Sequence, residues 1–325
     1  MIEGKIGVVG AGTMGSAIAE VMAFNGFEVV LRDINQQMLD RGRRNIERIL
    51  EHLIQYHEKR APDEISRIES LGVRLSEQQK EVIRSTLKPL YDAGTRSQVL
   101  GRIHLATDWD ALADCRLVVE AAFERLEVKQ DVLKELDKRL PVDAIFATNT
   151  SSIPITAIAS ASSHPERCLG AHFFNPPYTL PLIEIIPGMR TSAEVVDEAF
   201  SFFARLKNHR RQMLPIKVKE SPGFVVNRIL VPAQNEACFI LQEGLASAKD
   251  IDEAMKAGAG WPMGPLELAD MVGLDVAYDV SIMLFREFGD PKYRPPLLLR
   301  RMVEAGLLGR KSGSGFYKYV DGKKQ

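Results

Sequence analysis

KIGVVGAGTMGSAIAEVMAFNGFEVVLRD, Lys5 to Asp33, reads as strand, tight turn, helix and second strand in that order. Ile6, Val8 and Val9 make a short β-rich apolar run that stops at Gly10, and Gly10, Gly12 and Gly15 follow with G-x-G-x-x-G spacing. The first glycine permits the turn, the second lets backbone approach a pyrophosphate, and the third lets the new helix sit close on the sheet. That helix turns its N-terminal N–H groups and positive dipole end toward the same phosphates. Phe27 to Leu31 is a second buried-strand pattern leading to Asp33, 18 positions after Gly15. A carboxylate there accepts hydrogen bonds from the adenosine ribose and repels a 2′-phosphate, so the stretch predicts a Rossmann-like site for NAD rather than NADP. Arg32, its neighbour, is the discordant residue, because an arginine there either reaches a 2′-phosphate or is a solvated strand-end cation.

Outward from this stretch, 325 residues with 45% hydrophobic content supply two cores rather than one. A formal net charge of −1 gives no global pull toward nucleic acid or membrane. Cys115, Cys168 and Cys238 have no metal-ligand spacing and an odd count, which fits buried thiols in a reducing compartment and predicts no metal site. The first strand begins almost at Met1, leaving no room for a targeting peptide, and no apolar run reaches membrane-spanning length. A cytoplasmic protein is the expectation.

After Asp33 an α/β unit needs one crossover helix, yet the polar interval Asn35 to Gly101 is far longer. Ile46, Ile49, Leu50, Leu53 and Ile54 recur with helical period, Pro62 is expected to break the run, and Ser76 with Gln79 resembles a capping box. The interval therefore predicts a helical excursion inserted into the first domain. Its arginines, Arg41, Arg43, Arg44 and Arg48, are either a solvated face or a seat for an anionic ligand tail.

The α/β rhythm resumes at Ile103–Ala106, Leu117–Ala121, Ile145–Thr148, Leu169–Phe174, Leu182–Ile186 and Met213–Val218 as strands, with helices at Val128–Leu140 and Ser192–Arg205. From Ser221 onward helix follows helix, with Pro222 read as a first-turn proline and Ser247 with Asp250 as a capping box. The fold class is thus α/β: an N-terminal doubly wound sheet over residues 1–219, carrying the excursion at about 35–101, then a smaller all-α domain over 220–325. Apolar residues in that second domain predict pairing with a copy of itself as a homodimer.

An NAD site needs a group nearby to move a proton. His172, in GAHFFNPP, is the best-placed histidine, because ligands bind outside the carboxyl ends of parallel strands. Glu184, on the next strand 12 positions from His172, is able to hold its imidazole and stabilise the imidazolium. Spacing alone leaves open a core histidine beside an unrelated glutamate. Asn149, Thr150 and Ser151 follow the strand IFAT at the same rim, where Ser151 is either a substrate-oxygen contact or a turn cap. Asn227, in PGFVVNR, stands at the start of the second domain.

With these residues in view, the chain resembles the L-3-hydroxyacyl-CoA dehydrogenase family, including its bacterial 3-hydroxybutyryl-CoA members. The blocks that carry the likeness run nearly end to end: GAGTMG, VVEAAFERLEVK, ATNTSS, HFFNPP with LIEII, SPGFVVNR, GAGWPMGPLELADMVGLD and GRKSGSGFYKY. The resemblance implies oxidation of an acyl-CoA substrate by NAD, with His172 as general base, Glu184 orienting it, and Ser151 and Asn227 on the reacting oxygen. The opening stretch already places the cofactor on Gly10, Gly12, Thr13, Met14, Gly15 and Asp33, and the resemblance adds three residues. Glu124 and Lys129 fall on the nicotinamide-ribose side, and Lys311 is a weaker contact. No CoA-contacting residue is carried over within Asn35 to Gly101. The rival readings are an L-gulonate 3-dehydrogenase-like hydroxyacid enzyme and a non-catalytic protein of the λ-crystallin kind on the same scaffold.

Overall fold

A computed structural model describes residues 2–325, which fall into two compact units, one ending at Glu220 and the other Ser221–Gln325. The first unit is built on an eight-stranded sheet in the order β3-β2-β1-β4-β5-β6-β7-β8. Its strands are β1 (Ile6–Val9), β2 (Val29–Arg32), β3 (Ile103–Ala106), β4 (Leu117–Glu120), β5 (Ile145–Thr148), β6 (Cys168–Phe173), β7 (Leu182–Pro187) and β8 (Leu214–Lys217). All neighbours are parallel except β6 and β7. Buried on both faces, β1 is apolar throughout and β2, β4 and β5 are apolar until their last residues, as parallel strands covered by helices are. The chain leaves β1 toward β2 on one side and returns to β4 on the other. A crevice therefore opens at the carboxyl ends of β1 and β4, where the crossovers diverge.

Helix α1 (Thr13–Phe24) follows the glycine turn, and its residues from Gly15 to Ala23 are all buried. The excursion is three helices, α2 (Gln36–Ser70), α3 (Glu77–Thr86) and α4 (Ala93–Gly101). At 1.5 Å per residue α2 is about 52 Å long. Leu39, Gly42, Ile46, Ile49, Leu50, Leu53, His57 and Ala61 form its buried stripe at three- and four-residue spacing. Pro62 does not end α2, contrary to the sequence expectation: the helix runs on to Ser70. An interior proline costs about 3 kcal/mol. Here the stripe before it is buried, and past it the ion pair of Lys80 with Glu69 ties the far end to α3. Ser76 and Gln79 do form a reciprocal capping box at the start of α3. The remaining helices of this unit are α5 (Leu126–Asp137), α6 (Ile155–Ala159) and α7 (Ala193–Arg205).

The second unit packs α8 (Val226–Gln242), α9 (Ala248–Ala259), α10 (Pro265–Val272), α11 (Leu274–Phe288) and α12 (Leu297–Glu304) around Cys238, Leu266, Ala269 and Leu274. It also carries a small hairpin, β9 (Tyr319–Val320) with β10 (Lys323–Lys324), so it is not purely helical. Buried Asp270 holds the closing segment by accepting the N–H groups of Phe316 and Tyr317, both at 2.9 Å. Two sequence expectations are corrected here. Pro222 lies in a turn before α8 rather than in its first turn. Ser247 caps α9, but its hydroxyl donates to the Asp250 carboxylate, so the reciprocal backbone bond of a capping box is replaced. Gly273, at φ 110°, separates α10 from α11.

Candidate active site

The glycine turn has the shape its spacing predicts. Gly10 takes φ 101°, a conformation L side chains rarely adopt, and a Cβ there would lie 2.6 Å from the Ala121 carbonyl oxygen. A Cβ on Gly15 would fall on the Gly10 carbonyl group, 2.9 Å from its carbon, so α1 closes on the turn only because that residue is glycine. A Cβ on Gly12 would meet nothing within 4 Å, which leaves that side open to a ligand. Helix α1 has no side-chain cap and no acid in its first turn, so its orphan N–H groups await an anion. These features fit a dinucleotide pyrophosphate.

Buried Asp33 closes the turn. Its Oδ2 accepts the Ala11 N–H at 2.5 Å and its Oδ1 accepts the Ile34 N–H at 2.6 Å, which fixes the carboxylate at the end of β2. Beside the turn, a cleft of about 480 Å³ is lined by Gly12, Thr13, Arg41, Arg44, Asn45 and Arg48, among others. Asn45 donates to the Ser16 hydroxyl at 2.7 Å, and Ser16 donates to the Gly12 carbonyl at 2.7 Å. Three of the four arginines of the sequence cluster thus face an anion-sized cleft, while Arg43 lies against Glu47 instead. Met14 packs against the core beneath.

On the same rim, Lys129 is wholly buried and donates to both oxygens of equally buried Glu120, at 2.9 and 3.1 Å. Its third neighbour is Glu124 Oε2, at 3.2 Å. Glu124 Oε1 accepts from the Thr150 hydroxyl at 2.6 Å, the Ser151 N–H at 2.8 Å and the Ser152 hydroxyl at 3.0 Å, with the Ser151 hydroxyl at 3.3 Å. Burial opposes charge on Glu124, but Lys129 and these donors outweigh it and hold the carboxyl below its usual range. One carboxylate thus gathers Thr150, Ser151 and Ser152 into a single turn. Glu124→Ala is expected to lower Tm by about 5 °C, since it strips a charged acceptor from several donors. Thermal unfolding followed by circular dichroism measures it.

Asn149 Oδ1 accepts the Phe173 N–H at 2.9 Å, tying the end of β5 to the end of β6. There His172 Nδ1 lies 2.7 Å from Glu184 Oε2, both side chains buried. The sheet register makes the contact: His172 stands directly opposite Glu184 in the antiparallel β6–β7 pair. With the Nδ1 proton donated to the carboxylate, Nε2 is the basic nitrogen of the ring.

Sequence reasoning missed Glu120, although an acid closing the apolar run LVV was a signal. It also missed buried Glu20 on α1, which pairs with His209 at 2.8 Å across 189 positions and which no local pattern reveals. Asn227 is the second residue of α8, and Lys311 donates to both oxygens of Asp275 at 2.6 Å; both belong to the second unit. Among the described residues no group of three or more His, Cys, Asp or Glu could hold a metal, and no helix is long and apolar enough to cross a membrane.

A nucleotide-binding sheet whose rim carries an imidazole on a carboxylate defines a dinucleotide-dependent oxidoreductase. The sequence matches the 3-hydroxyacyl-CoA dehydrogenase NAD-binding domain over residues 5–79 and 66–221, and the C-terminal domain of the same enzymes over 223–319. It is 44% identical to a probable 3-hydroxybutyryl-CoA dehydrogenase of Deinococcus radiodurans, across 97% of this chain and all of that one. A 3-hydroxybutyryl-CoA dehydrogenase of Clostridioides difficile is 38% identical, across 97% and 99% of the two chains. The solved structure of (S)-3-hydroxybutyryl-CoA dehydrogenase PaaH1 from Ralstonia eutropha superposes with TM-score 0.79 at 40% identity, covering 99% of this chain and 100% of that one. The chain belongs to the 3-hydroxyacyl-CoA dehydrogenase family and is an NAD-dependent oxidoreductase.

Proposed function

We propose that the chain interconverts L-3-hydroxyacyl-CoA, including 3-hydroxybutyryl-CoA, and the 3-ketoacyl-CoA, with His172 and Glu184 as its proton-moving pair. The observation that carries this reading is the 2.7 Å contact between His172 Nδ1 and Glu184 Oε2 at the carboxyl rim of the sheet. Bound NAD supplies the acceptor for the hydride that leaves C3. His172 Nε2 takes the hydroxyl proton, and Glu184 stabilises the imidazolium that results. Ser151 and Asn227 hold the oxygen on which charge develops, Ser151 from a turn already fixed by Glu124. Gly10, Gly12, Thr13, Met14 and Gly15 seat the pyrophosphate, and Asp33 takes the adenosine ribose. Glu124 and Lys129 serve the nicotinamide-ribose side, with Lys311 a weaker contact. Arg41, Arg44 and Arg48 give the substrate's phosphates a positive approach.

The division into an NAD-binding domain and a second domain that binds substrate and pairs with a copy of itself belongs to the same proposal. Ile229, Leu245, Val272 and Val276 are exposed apolar residues of the second unit that a homodimer would cover. The reading includes a cytoplasmic protein whose partners are acyl-CoA and its own copy, with neither nucleic acid nor membrane among them. NADH oxidation with acetoacetyl-CoA, set beside NAD reduction with L-gulonate, tests it. Turnover with the thioester is the expected result. Turnover with gulonate alone would transfer the site to hydroxyacids lacking CoA, and none with either would make the chain a crystallin-like binding protein.

A further inference from the structure

Arg32 and Asp33 are adjacent at the end of β2, and alternation along a strand sends neighbouring side chains to opposite faces. Asp33 turns to the glycine turn, as described. Arg32 turns the other way. Its guanidinium carbon lies 3.6 Å from the centroid of the Trp109 ring, and its Nε donates to the Thr107 carbonyl at 3.2 Å. Trp109 is itself anchored, packing with Leu112 and Val30 against the second core of the sheet. Burial lowers the guanidinium's pKa from its ordinary value, against the raising influence of Asp33, Asp108 and Glu135. The cation is therefore held by a ring and a carbonyl at the carboxyl end of β2.

A 2′-phosphate on the adenosine ribose requires a cation and the absence of a carboxylate. This chain carries both elements side by side, the carboxylate turned to the glycine turn and the cation turned onto Trp109. Consecutive Cα atoms are about 3.8 Å apart, less than an arginine side chain spans, so a released Arg32 would reach the ribose that Asp33 serves. We propose that Trp109 is a specificity-determining residue for the cofactor: by stacking on Arg32 it keeps the guanidinium from a 2′-phosphate. Preference for NAD over NADP is then a joint property of Asp33 and Trp109. This inference rests on the NAD site proposed above.

Equilibrium titration of NADH and NADPH, followed by nicotinamide fluorescence, tests the inference without recourse to turnover. Wild-type protein is expected to bind NADH and discriminate against NADPH; failure to bind NADH would overturn the site itself rather than the role of Trp109. Asp33→Ala is expected to weaken NADH with little gain in NADPH. Asp33→Ala with Trp109→Leu is expected to bind NADPH at least about tenfold more tightly than Asp33→Ala alone, a gain that shrinks as salt is raised. Trp109→Phe, which keeps an aromatic face for the guanidinium, should give no such gain. Should the leucine variant not fold, Arg32→Ala in the Asp33→Ala protein decides the question with Trp109 in place. An unchanged NADPH dissociation constant is expected there, and a weakened one shows that Arg32 already reaches the phosphate. Full gain from Asp33→Ala alone, or a folded double variant no better than Asp33→Ala, overturns the role of Trp109.

Discussion

His172→Gln is expected to lower turnover by at least about a hundredfold while leaving NADH binding nearly intact. Glutamine preserves a polar amide where the ring stood, so buried Glu184 keeps a donor within reach and the β6–β7 pair is not left with an uncompensated charge. What glutamine lacks is a nitrogen that accepts a proton at neutral pH. The loss should appear in kcat, with the dissociation constant of NADH as the control, because the glycine turn and Asp33 lie on other strands of the sheet. Turnover near that of the wild type would remove His172 from the mechanism.

Gly15→Val should be the most damaging single change in the nucleotide site. Its side chain would begin inside the carbonyl group of Gly10, with backbone on both sides of the clash and therefore no rotamer that relieves it. Helix α1 would have to lift from the turn, at a cost of about 3 kcal/mol or more in stability, and NADH binding should be lost. Gly12→Ala is the matching control. Its methyl meets no protein atom within 4 Å, so Tm should stay within about 2 °C of wild type while NADH affinity falls. Thermal unfolding and NADH titration on both variants separate the glycine that closes the turn from the one that faces the ligand.

The contrast between those two glycines shows what the chain discloses before it is folded. Strand, turn, helix and acid from Lys5 to Asp33 are legible because they follow one another in a single continuous stretch and each residue type has one physical reason to be there. His172 and Glu184 are legible only as candidates. Twelve positions are compatible with many turn geometries, and the antiparallel register that sets them opposite one another is a property of the sheet. Pro62 defeats the local rule because that rule takes no account of anchoring on both sides of a long helix. Glu120 escapes notice because a carboxylate in an apolar strand has meaning only once its counter-ion is seen, and Lys129 arrives from the following helix. Arg32, ambiguous in one dimension, is placed by an indole 77 positions away, a partner that no pattern around it announces.

The reversal of direction between β6 and β7 has a consequence for how such a protein diversifies. Because the two strands are joined by a loop at the mouth of the sheet, residues 174–181 can lengthen, shorten or change composition while Glu184 stays opposite His172. A single residue inserted within either strand, by contrast, would rotate one partner to the far face. Change in the loop is thereby uncoupled from the pairing of the two residues, and a lineage is free to vary that rim without separating His172 from Glu184.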